Sequence, residues 1–123
     1  MTYDDVVRRF VEKFPEFEEA ARIELAQSRH EEGQLAYVFF GNVLDPFLRT
    51  ELHSIKHWKL LDRVFEFLES MATSDDERVQ ELLALGTLSY LWNDVRTADK
   101  AKTFMRKRTR VMSDEIESRV RKG

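Results

Sequence analysis

The sequence predicts an all-α protein of six to seven short helices, and three observations carry that expectation. Apolar residues recur at three- and four-residue spacing along most of the chain, the period that gathers them on one helix face. Helix-start signals recur too: Thr2 ahead of Asp4 and Asp5, Pro15 ahead of Glu16, Glu18 and Glu19, and Ser74 three residues before Glu77. The one stretch that reads as a buried strand, residues 35 to 40, has no second strand to pair with. The 123 residues suit a single domain over 1–123, large enough to bury a core without metal or disulfide staples.

Taken in order, the first helix is capped by Thr2, with Asp4 and Asp5 at its positive end and an apolar stripe of Tyr3, Val6 or Val7, Phe10 and Phe14. Pro15 restarts the chain, because its missing N–H costs nothing in a first helical turn. The second helix then runs to about Arg29, with Phe17, Ala20, Ala21 and Leu25 inward, and Gly33 stops it. A third continues from Leu35 through Phe40, Val43, Leu44, Phe47 and Leu48. Pro46 disfavours helical geometry at Asp45, so a bend or restart is expected there, with Asp45 capping the segment after it. The fourth covers Trp58 to Ala72 with two stripes, one of Trp58, Leu61, Phe65, Leu68 and Ala72, the other of Leu60, Val64, Phe67 and Met71. Ser74 and Glu77 read as a capping box opening the fifth helix, which Asn93 and Asp94 close. Residues 97 to about 121 read as one or two more, bearing Ala98, Ala101, Phe104, Met105, Val111, Met112, Ile116 and Val120.

The fifth helix is the one the others are expected to surround. Val79, Leu82, Leu83 and Tyr90 lie towards one side, Leu85, Leu88 and Trp92 towards another, and Leu91 between them. A belt that wide belongs to a helix covered on more than one flank. Gly86 in its middle costs roughly 1 kcal/mol relative to alanine, so a neighbour is expected to approach closely there. Helix pairs recur faintly at about forty residues, which gives the architecture as a compact bundle or a short HEAT-like stack.

Composition excludes some chemistry. Without cysteine there is no disulfide, thiolate zinc site or cysteine nucleophile. An acidic start and no apolar run longer than residues 35 to 40 predict a soluble, cytoplasmic protein with no membrane span. The formal net charge of −3 is unevenly spread: residues 1–94 hold ten Lys/Arg against nineteen Asp/Glu, and residues 95–123 hold ten against four. Such asymmetry either marks a partner-facing surface or a basic terminal helix docked on an acidic body.

Candidate sites each have a structural alternative. His53 and His57 are four apart, the spacing at which two imidazoles on one helix share a metal, but no third ligand and no Glu-x-x-His pair accompanies them, so no metal or other cofactor is expected. The first-turn acids suit helix dipoles better than acid/base catalysis, and neither a nucleophile elbow nor a phosphate loop occurs, so the protein is not expected to be an enzyme. Lys100, Lys102, Arg106, Lys107, Arg108 and Arg110 form one basic cluster with Phe104 among them, a pattern that can grip phosphates and stack a base. Its spread around more than one helix face and an acidic pI near 5.7 favour a solvated helix instead. Asn42 and Asp45 beside Phe40, and Asn93 and Asp94 beside Trp92, set polar groups among aromatics at helix ends, either as a binding rim or as caps.

The run Leu-Ala-Tyr-Val-Phe-Phe-Gly-Asn-Val-Leu-Asp-Pro-Phe-Leu at 35–48 is followed by Val-Phe-Glu-Phe-Leu-Glu-Ser-Met at 64–71, Ser-Asp-Asp-Glu-Arg-Val-Gln at 74–80 and Leu-Ser-Tyr-Leu at 88–91. In that order and spacing, over about residues 34 to 112, the chain resembles a family of small all-helical bacterial proteins that look like immunity proteins of polymorphic toxin systems. Ser89 stands where that pattern has an acidic residue before the tyrosine, which removes any carboxylate role there. The resemblance implies a non-catalytic protein that binds and neutralises a cognate toxin domain through an acidic, aromatic-studded surface. The contacts it implies are Asn42, Asp45, Asp75, Asp76, Trp92, Asn93 and Asp94. The rival reading is a nucleic-acid-binding or regulatory adaptor using the basic segment 96–110.

Overall fold

The computed structural model describes residues 1–27, 34–54 and 56–122. Those residues form seven helices and no strand, an all-α fold as expected. Helix α1 is Val6–Lys13. A 3-10 turn, Pro15–Phe17, leads into α2, Glu18–Gln27. Helix α3 joins Leu35–Phe39, a π-helical stretch Phe40–Leu44 and Asp45–Ser54 without interruption. Helix α4 is Trp58–Ala72, and α5 joins Glu77–Glu81, a second π-helical stretch Leu82–Leu88 and Ser89–Leu91. Helices α6, Val95–Lys102, and α7, Lys107–Lys122, complete the chain. The expected end of α2 near Arg29 and its stop at Gly33 lie outside the described residues.

Helix α3 corrects the reading of Pro46. Asp45 is helical, with φ −62 and ψ −46, and its N–H bonds the carbonyl of Phe40, five residues back. A proline in a regular α-helix loses a hydrogen bond and pushes its ring at the carbonyl four residues earlier. One extra residue in the preceding turn relaxes that clash, so the helix passes through Pro46 without a restart and Asp45 caps nothing. The start of α5 is also corrected. Asp76 is the cap, accepting from the Arg78 N–H at 2.9 Å, while Ser74 accepts from the Asp76 N–H and donates to the Met1 carbonyl. At α1 the expected cap is reversed: the Thr2 N–H donates to Asp5 Oδ1 at 2.8 Å.

The core centres on Phe10, whose ring lies within 5.8 Å of the rings of Phe14, Phe17, Phe39, Phe40 and Phe67. Val79, Leu82, Leu83, Leu88, Leu91 and Trp92 are buried in the same core, as the belt read from the sequence predicts, and Tyr90 is half-buried against it. Leu85 is not buried, at 65% exposed, because the extra residue of a π-helical turn breaks the period on which that belt was read. Gly86 has no close neighbour either; a methyl group there would meet only Leu82 Cδ1, at 3.8 Å.

Helices α3 and α5–α6 lie side by side and run parallel. Asp45 meets Thr87 and His53 meets Thr97, at sequence separations of 42 and 44 residues. The two π-helical stretches therefore sit abreast, and the faint forty-residue spacing of the sequence has a physical counterpart. Arg106 reaches Asp62 and Thr109 reaches Glu69 at similar separations, 44 and 40, which places the start of α7 against α4.

Candidate functional site

Among the described residues, Asp45, the first residue after the π-helical stretch of α3, and Thr87, within that of α5, form the one polar contact between these two helices that is sealed from water. Asp45 is 2% exposed, Thr87 is fully buried, and Thr87 Oγ1 donates to Asp45 Oδ1 at 2.9 Å. Burial raises the Asp45 carboxyl from its ordinary 3.8 to about 7, against the smaller opposing effect of the Thr87 hydrogen bond. A carboxyl poised near neutrality suits proton transfer, but this one is closed off from solvent and faces a hydroxyl that is itself buried. The helix phase shift that accommodates Pro46 is what turns it inward.

Trp92 is likewise internal. It is 2% exposed, its indole N–H donates to Ser113 Oγ at 2.9 Å, and Lys102 and Arg121 stand 5.2 and 5.5 Å from the ring centre. Asp76 and Asp94 cap α5 and α6. Hydrogen bonds from the Tyr3 and Arg78 amides hold the Asp76 carboxyl below its ordinary range. At Asp94 partial desolvation pushes upward, but donors from Arg96 and Thr97 outweigh it. Asn42 reaches Glu24 at 3.3 Å across α2 and α3. Asp75 and Asn93 point to solvent in different depressions, Asp75 beside Met1 and Arg9, Asn93 with Asp94 beside Arg49 and Tyr90. The seven residues thus do not converge: two lie in the core, two cap helices, and three stand apart on the surface.

The histidines separate as well. Helix α3 ends at Ser54, so His57 leaves its face. His57 Nδ1 lies 2.6 Å from Glu51 Oε2. His53 contacts Thr97 Oγ1 at 2.9 Å and Lys100 Nζ at 3.2 Å; since lysine only donates, the His53 proton sits on Nε2 and points at Thr97. No group of side chains suited to a metal ion occurs among the described residues.

Among the described residues, Arg106 is the one side chain of the basic segment that forms ion pairs with the acidic body, and Lys102 finds its carboxylates within the tail itself. Arg106 donates to the Asp62 carbonyl at 3.1 Å and pairs with Asp62 and Glu66. Lys102 pairs with Glu117 at 2.6 Å, and Arg121 pairs with Glu117 and Asp99. Glu69 of α4 receives the first amides of α7, from Arg108 at 3.0 Å and Thr109 at 2.9 Å, together with the Thr109 hydroxyl. Desolvation pushes the Glu69 carboxyl up, and these donors pull it further down, leaving it below its ordinary range. Lys107, Arg108 and Arg110 keep their charged ends exposed.

One feature escaped sequence reasoning. A groove of about 650 Å³ opens between Glu16, Phe47, Glu51, Lys56, Trp58 and Lys59. Trp58, expected in the core stripe of α4, is 55% exposed at its edge. The available signal was position: Trp58 is the first residue of α4, where a stripe runs past the end of its neighbours, and Lys56, His57 and Lys59 surround it. No helix of the described residues is long and apolar enough to cross a membrane. Residues 7–120 match the family described as a domain of unknown function, DUF7674. No curated protein and no solved structure matches the chain.

Proposed function

The chain belongs to the DUF7674 family, a small all-helical fold with no assigned role, and we propose that it is a non-catalytic binding protein that neutralises a bacterial toxin domain by covering it. The observation that carries this reading is the acid left over once the basic tail has docked. Asp4, Glu16, Glu18, Asp75, Glu77 and Glu81 are exposed and make no ion pair among the described residues. Unneutralised acid on a rigid scaffold steers and orients a basic partner, such as a domain that acts on nucleic acid, and needs no catalysis of its own. The polar groups that could have served catalysis have structural work: Asp76, Asp94 and Glu69 hold helix amides, and Asp45 is sealed.

The test is co-expression with a toxin-like reading frame adjacent to this gene. Rescue of growth and a stable complex are expected, with Glu18→Lys, Glu77→Lys and Glu81→Lys together slowing association about tenfold at low salt. Absence of both rescue and complex would sink the reading. The exposed Lys107, Arg108 and Arg110 favour a second one, a nucleic-acid adaptor. DNA or RNA binding that weakens steeply with salt, and that is lost with those three side chains, would select it.

A further inference from the structure

We propose that the Trp58 groove is a homodimer interface, filled by the same groove of a second copy of this chain. Three segments distant in sequence build it: Glu16 from the turn before α2, Phe47 and Glu51 from α3, and Lys56, Trp58 and Lys59 from the start of α4. Its wall is apolar and well supported, since Phe47 packs edge-on against buried Phe17 with ring centres 5.0 Å apart. Trp58 stands over half exposed beside it. Covering an indole that is in water this far releases the kind of energy that dominates interfaces.

Charge selects the occupant. Among the described residues Glu16 makes no ion pair and neither Lys56 nor Lys59 meets a carboxylate; Lys59 only rests its Nζ 5.7 Å from the Trp58 ring centre. Glu51 is already held by His57. The rim therefore carries unneutralised charge of both signs, and a uniformly basic or uniformly acidic surface would be repelled by part of it. A two-fold axis through the groove satisfies all of it. Glu16 of each copy meets Lys56 and Lys59 of the other, and each Trp58 covers the other's Phe47.

The experiment is sedimentation equilibrium of the full chain, with tryptophan emission recorded at each concentration. A reversible monomer–dimer equilibrium is expected between about 5 and about 500 µM, the range of a modest interface. The emission shifts to the blue as Trp58 is covered, because Trp92 is buried already. Trp58→Ala weakens the dimer at least about tenfold. Glu16→Lys and the double variant Lys56→Glu with Lys59→Glu each weaken it, and an equal mixture of the two restores it, since each altered charge then meets its opposite. A chain that stays monomeric to about 500 µM overturns the proposal. So does a dimer indifferent to Trp58→Ala, or a mixture no stronger than its components.

Discussion

Asp45 is the residue at which sequence and structure part most instructively. Its neighbours Phe40, Gly41, Asn42 and Pro46 mark it as special, yet turn chemistry assigns it to a helix end, and the structure puts it in the core against Thr87. What could not be read locally is the π-helical turn, which depends on how α3 packs beside α5. The consequence is a pH dependence with a definite sign. The folded carboxyl titrates near 7 and the unfolded one near 3.8, so between those values the native state holds a proton that the unfolded chain has released. The contribution of Asp45 to stability is therefore complete below about 3.8, declines as pH rises, and is lost above about 7. Asp45→Asn keeps the acceptor for Thr87 and removes the ionisation. Urea unfolding at pH 5 and pH 8 should show the variant gaining stability relative to the parent at the higher pH, by at most about 3 kcal/mol. An unchanged pH slope in Asp45→Asn would place the titration elsewhere.

At the scale of elements, regular helices were legible in their bounds, although Leu25 of α2 and Trp58 of α4, both expected inward, are exposed, and the helices with a π-helical turn were misread in their caps or periods as well. Helix α4 has the expected bounds, Trp58–Ala72, because regular spacing and a following turn define both ends locally. In α5 the period fails at Leu85 and the cap moves from Ser74 to Asp76, since Ser74 is drawn away to Met1, a partner 73 residues distant. Each π-helical stretch contains one glycine, Gly41 and Gly86, and neither is there for want of space. A methyl group would meet nothing within 4 Å at Gly41, and only Leu82 Cδ1 at 3.8 Å at Gly86. Alanine at either site therefore costs no contact and restricts the unfolded chain. Gly41→Ala and Gly86→Ala should each add about 0.5 to 1 kcal/mol, seen as a melting temperature raised by a few degrees. A loss of stability instead would show that the glycine is needed for the widened turn itself.

Across the whole molecule, the uneven charge was visible in the sequence but its use was not, because only the forty-residue register between helices brings Arg106 to Asp62 and Glu66. The groove was hidden for the same reason, being assembled from three segments that the sequence treats separately. Helix α7 is fastened at its start by Glu69, in its middle by Ser113 on Trp92, and near its end by Glu117 on Lys102. Removing the first fastening leaves two amides and a buried hydroxyl without their acceptor, and the unpaired donors favour solvent over the α4 surface. Glu69→Ala should thus loosen α7 and let water reach Trp92. In a Trp58→Phe background, where Trp92 is the sole tryptophan, iodide quenches the parent weakly; Glu69→Ala should increase quenching several-fold and shift emission to the red, with helical content largely kept. The same loosening releases Arg106 and Lys102 from their carboxylates, so the variant should acquire a salt-sensitive affinity for polyanions that the docked tail suppresses. Quenching and polyanion binding both unchanged from the parent would mean that Ser113 and Glu117 alone hold the helix, and that the docked charge is not what keeps the tail from nucleic acid.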